Sequence, residues 1–141
     1  MTLPVDTAVL VLVSGVILLW ALVLGVWKFR GMATSPTGQA HPYVDIAHRA
    51  ALLYSFATMV LAALVHFGAW STVVNLVASG AAVFFFVAAI VSYVVHGARR
   101  DTDNQFVNPV RGTHAFMVAL AGVEIVGLGV LIAGFVRAQF L

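Results

Sequence analysis

Apolar residues run through this chain in four long blocks, and polar residues collect in the short stretches between them. The blocks cover Thr7–Trp27, Ile46–Gly68, Val73–Gly97 and Thr113–Val136. Each is long enough to cross a bilayer as a helix, which takes about 20 mostly apolar residues. The pattern predicts an all-α fold, an integral membrane four-helix bundle, with residues 1–141 forming a single four-transmembrane-helix domain. Little sequence is left over, so no separate soluble domain is expected.

Composition agrees: 62% of residues are hydrophobic and 9% charged, where soluble domains carry about 25% charged residues. The first block differs from a secretory signal because it is long and no basic residue precedes it. Lys28 and Arg30 follow it instead, so it reads as a retained helix. With no cysteine in the chain, a disulfide framework, thiolate-bound metal and dithiol redox chemistry are excluded.

A net charge of +2, carried by residues next to the membrane, argues against nucleic acid as a partner and reports topology instead. Lys28, Arg30, Arg49, Arg99, Arg100 and Arg111 fall on the side of the two long loops, and Arg137 alone falls near the other face. The positive-inside rule then puts both loops in the cytoplasm and both termini outside, in a bacterial-type inner membrane.

The first loop, Lys28 to Asp45, should be irregular around Gly31, Ser35, Pro36 and Gly38. Proline suits a first helical turn, so the second helix starts near Pro42. His41 and His48, seven residues apart, are then expected on one face. The link at Ala69–Ser71 is short enough for an antiparallel hairpin, and Trp27 and Trp70 fit the two aromatic belts. The second loop, Ala98 to Gly112, is polar and expected to be ordered in part, capping a site at the helix ends. In the fourth helix Gly122, Gly127, Gly129 and Gly134 suit close helix packing.

Candidate chemistry sits at the loop side. His41, His48, His96 and His114 all fall near that face, and histidine is the commonest metal ligand. Together they suggest a metal or haem site, although any one of them is also at home in a wet interface. His66 lies roughly 27 Å from His48 along the helix and cannot share a site with it within one subunit. Tyr93 is one turn deeper than His96 on nearly the same face. Tyr54 lies about 9 Å below His48 on a different face, which Ser55 matches better. Glu124 reads as the only acid deep inside a span, where a charge costs roughly 2.5–3.5 kcal/mol on insertion scales. It should face protein or a cavity, as a proton relay, substrate contact, ion site or helix bridge.

Ala47-His48, Ala51-Leu52, Ala62, His66 and Gly68 together resemble the second helix of styrene oxide isomerases, which are small four-helix membrane enzymes. The likeness continues through Tyr93, Asn104-Gln105-Phe106 and the Ala/Gly-rich fourth helix, covering about residues 45–138. The resemblance implies a homo-oligomer, a trimer, that binds haem b near its subunit boundaries through one histidine. Ferric iron there acts as a Lewis acid on a small hydrophobic (aryl) epoxide, and a hydride shift yields an aldehyde. On the matching positions His48 is the iron ligand and Tyr93 orients the epoxide, while Arg49 or Arg100 could meet the haem propionates at the membrane rim. The chain departs from the family where an asparagine is expected about two turns after the histidine. Here the residues are Leu52, Leu53, Tyr54 and Ser55, and Tyr54 is the one able to stand in as a hydrogen-bond donor.

Two other classes stay open. One is a membrane haem protein for electron transfer, with His48 and His114 filling both axial positions. The other is a proton-coupled transporter or channel subunit that uses Glu124 and no cofactor.

Overall fold

The computed structural model describes residues 2–141. It contains α1 (Val5–Thr34), α2 (Pro42–His66), α3 (Thr72–Arg99) and α4 (Thr113–Phe140), with no strand among the described residues. All four helices are long and apolar enough to cross a membrane. The protein is an all-α, multi-pass integral membrane four-helix bundle.

Helix boundaries moved most at the end of α1, which runs on past Trp27 to Thr34. Gly31 does not break it. Ala40 folds back over that glycine, where an added Cβ would lie 3.2 Å from the Ala40 Cβ. The Thr34 hydroxyl also donates to the Arg30 carbonyl at 2.9 Å. The irregular link is therefore only residues 35–41. At the start of α2, Pro42 takes the first helical position, as its fixed φ favours. His41 caps the helix, its Nδ1 accepting from the Tyr43 N–H at 3.2 Å.

Helix α2 is central: it packs on α1, α3 and α4, whereas α1 and α4 do not touch among the described residues. Ala21, Ala47 and Ala51, all fully buried, let α1 and α2 approach closely. They join Ile17, Leu24 and Ile90 in a core cluster at the loop end. A second cluster, including Leu10, Leu61, Val65, Phe86 and Leu131, fills the end that holds the termini. Outward-facing Leu12, Leu53, Val118 and Ile125 are exposed, which is the surface a lipid-facing bundle needs.

Two of the four glycines in α4 make the close approaches expected of them. At Gly127 a Cβ would come 2.8 Å from the Ala78 carbonyl oxygen, and at Gly134 it would collide with the Trp70 indole. Gly122 and Gly129 face open space. Trp70 does more than sit in a belt. Its Nε1–H donates to the Val130 carbonyl at 2.7 Å, and the Arg137 guanidinium lies 5.4 Å from its ring centre. This fastens α4 to the α2–α3 link.

Glu124, in the middle of α4, is the only acid deep inside a span among the described residues, but a second acid is buried at a helix end. Because α1 begins at Val5, Asp6 lies in its first turn and is buried. Its carboxylate accepts from the Thr7 N–H at 2.8 Å and from Asn75 Nδ2 at 2.9 Å, tying α1 to α3.

Candidate functional site

Ala21, Gly25 and Lys28 fall on one stripe of α1, since residues three and four apart stack on a helix face. That stripe faces His48. The half-buried His48 ring has its Nδ1 2.9 Å from the Ala21 carbonyl oxygen. A carbonyl can only accept, so Nδ1–H is the donor, and in the neutral ring the lone pair is then on Nε2. Nε2 makes no hydrogen bond among the described residues. Gly25 provides the space: a Cβ there would lie 2.9 Å from His48 Cε1 and 3.2 Å from Nδ1. An imidazole whose second nitrogen is anchored on a backbone carbonyl has the tautomer and orientation that metal-ligating histidines need.

Above the ring, at the polar end of the same seam, Asp45 accepts from Lys28 Nζ at 2.6 Å and from the Arg49 guanidinium at 2.8 Å. Two cations around one carboxylate leave this rim with a net positive charge.

The other histidines do not join His48. His41, as the cap of α2, turns back on its own helix rather than sharing a face with His48. Its Nδ1 accepts from Tyr43 and its Nε2 lies 3.2 Å from Asp103. His96 Nδ1 lies 2.8 Å from Asp101. The His114 ring neighbours Phe106 at 6.0 Å, and His66 packs edge-on to Phe67 at 4.7 Å. Among the described residues, no group of three His, Cys, Asp or Glu side chains is placed to hold a metal ion. The four histidines share a depth but not a centre.

Both tyrosines lie in the seam between α2 and α3. Tyr54 stacks on Phe86 at 4.3 Å between ring centres, and Tyr93 stacks on Tyr43 at 6.0 Å. Ser55 follows His48 to the α1 side, where its carbonyl accepts from the Ser14 hydroxyl at 2.9 Å. Within the chain, therefore, His48 lies on one side of α2 and Tyr54 and Tyr93 on the other. Arg100 is also apart from His48. It lines a groove with Val26 and Arg30, nearly half a turn round α1 from Gly25 and Lys28 at 100° per residue.

Glu124 is half-buried, and its Oε1 is buried with no hydrogen-bond partner among the described residues. It opens on an apolar cavity of about 380 Å³ between α2, α3 and α4, lined also by Ala57, Leu61, Phe86 and Leu128.

Sequence reasoning missed Tyr43. Its hydroxyl accepts from the Gln105 N–H at 2.6 Å and so pins the Asn104-Gln105-Phe106 turn onto the start of α2. A tyrosine in the first turn of a helix beside a polar loop was the available signal. The same loop is held by the His41–Asp103 and His96–Asp101 pairs. The His96 hydrogen bond holds the Asp101 carboxyl below the usual carboxylate range. A lowered carboxyl pKa stabilises fully above the ordinary value and stops doing so as pH falls through the folded-state value. The loop is therefore expected to keep its amide protection at neutral pH and to lose it below about pH 4. Hydrogen exchange at Gln105, corrected for intrinsic rate, checks this, and Asp101→Asn should exchange fast at every pH.

No family model, curated protein or solved structure matches this chain.

Proposed function

We propose that the protein is a haem-dependent membrane isomerase that rearranges a small hydrophobic (aryl) epoxide to an aldehyde, with haem b held by His48. The observation that carries this reading is the His48 ring, anchored at Nδ1 by Ala21, cleared by Gly25 and with no hydrogen bond at Nε2 among the described residues. These residues fit haem held through one histidine: His48 would hold it, and the group would keep a coordination position available to substrate. When bound, haem supplies a ferric Lewis acid that polarises the epoxide oxygen without moving a proton.

The protein's own groups divide the remaining work. The Ala21 carbonyl fixes the ring and keeps the proton on Nδ1. Lys28 and Arg49, joined through Asp45, form the positive rim that would meet carboxylates at the membrane interface. Tyr54 and Tyr93 supply hydroxyls to orient an epoxide. Because they lie across α2 from His48, the reading requires a second copy, so that tyrosines of one protomer approach the His48 of another. This accords with the trimer that the isomerase resemblance implies. The excess of basic residues at the loop end supports both loops in the cytoplasm and both termini outside.

The electron-carrier alternative has less support. It needs His48 and His114 on one iron, yet His114 belongs to α4, which does not touch the α1 stripe under His48. Tyr93→Phe is expected to retain haem and to slow epoxide opening about tenfold, the effect of losing one hydrogen bond of about 1–1.5 kcal/mol. His96→Ala and His114→Ala should leave a five-coordinate spectrum unchanged. Turnover of an aryl epoxide by the purified variants, together with their spectra, checks all three. Haem loss on changing His114 would favour the two-histidine carrier.

A further inference from the structure

Arg30 and Arg100 come from different helices and line one groove of about 630 Å³ with Val23, Val26 and Trp27. Arg100 ends α3 in the left-handed region, φ 51°, with its N–H donating to the His96 carbonyl at 2.8 Å. A non-glycine residue seldom takes that conformation. Here it closes the helix beside α1, where the two helices' basic groups share the groove.

Neither arginine belongs to an ion pair among the described residues, whereas Lys28 and Arg49 both engage Asp45. Below the two guanidinium groups, Val23 and Val26 are each 60% exposed on the lipid-facing side of α1. Arg30 lies about 6 Å above Val26 along the helix. Two guanidinium groups outside any ion pair over an apolar wall, with Trp27 also in the lining, form an amphipathic site at interface depth. The positive-inside tendency explains basic residues at this end of the bundle. It does not explain why two of them converge from separate helices on one groove.

We infer that the Arg30–Arg100 groove binds an anionic phospholipid, with its phosphate on the two guanidinium groups and an acyl chain along Val23 and Val26. Arginine forks match phosphate oxygens in pairs, and basic pockets between membrane helices suit anionic headgroups. The valine wall favours a lipid over free phosphate, which has nothing to place there. The site is separate from His48 and does not depend on haem.

Native mass spectrometry of the full-length protein, released from detergent with equal phosphatidylglycerol and phosphatidylcholine of matched chains, tests the proposal. The expected result is retention of phosphatidylglycerol over phosphatidylcholine by about tenfold or more, the scale of one charge-assisted hydrogen bond. The double variant Arg30→Gln, Arg100→Gln should lose that preference, and Arg111→Gln, which removes a charge from the loop elsewhere, should keep it. Inorganic phosphate should fail to displace the bound lipid. Equal retention of both lipids, or a preference unchanged in the double variant, would overturn the assignment. Displacement by inorganic phosphate would also overturn it, in favour of a free-anion site. If the double variant does not assemble, each single variant should still weaken the preference, and no weakening in either would count against the site.

Discussion

His48→Ala should yield a folded bundle that retains no haem. The Ala21 carbonyl that holds the His48 ring also accepts the intrahelical bond from the Gly25 N–H, four residues on. Removing the imidazole therefore leaves no backbone acceptor orphaned. The ring is half-buried rather than at the centre of a core cluster, so the stability loss should be about 1–2 kcal/mol. Haem retention is another matter, because no other histidine is close enough to replace it. His41 and His96 are engaged with Asp103 and Asp101 at the loop, and His66 lies at the opposite end of α2. Size-exclusion chromatography in detergent and haem content per chain separate loss of cofactor from loss of fold.

The second large effect is expected at a residue with no chemistry of its own. Gly25→Val places a branched side chain where a single Cβ already falls 2.9 Å from His48 Cε1. The ring has to leave its place against Ala21, which breaks the Nδ1–H to carbonyl bond and frees the tautomer. Loss of an outer hydrogen bond of this type costs about 10–100-fold in metal affinity, and crowding of a packed seam adds about 1–3 kcal/mol of destabilisation. Haem titration of the purified variant, together with its thermal midpoint, measures both. Gly15→Val is the contrasting change: that glycine has open space around it, and the substitution should leave affinity unchanged.

Much of the fold could be read from the chain, because four apolar runs in so short a sequence leave few arrangements. The end of α1 could not. Arg30, Gly31 and Ser35 carry the composition of a loop, but Thr34 bonds back to Arg30 and Ala40 covers Gly31. Those contacts keep the helix going two turns beyond its apolar block. At the loop end, depth was readable and direction was not. His41, His48, His96 and His114 lie at similar heights, yet a capping bond turns His41 one way and the Ala21 carbonyl turns His48 the other. The separation of His48 from Tyr54 was visible in their spacing along one helix. That Gly25 would be the residue opposite His48 was not, since α1 contains Gly15, Gly25 and Gly31 and only the pairing of α1 with α2 selects among them. Asp6 was hidden for a similar reason. Its partner Asn75 lies 69 positions away, and nothing local announces the contact.

The visible absorption spectrum of the protein purified in mild detergent, taken with haem content per chain, tests the central claim most directly. The account predicts close to one haem b per chain with the spectrum of a five-coordinate, single-histidine ferric iron, absent from His48→Ala and preserved in His114→Ala. Haem retained in full by His48→Ala, or a wild-type protein that binds none when haem is supplied, would contradict it.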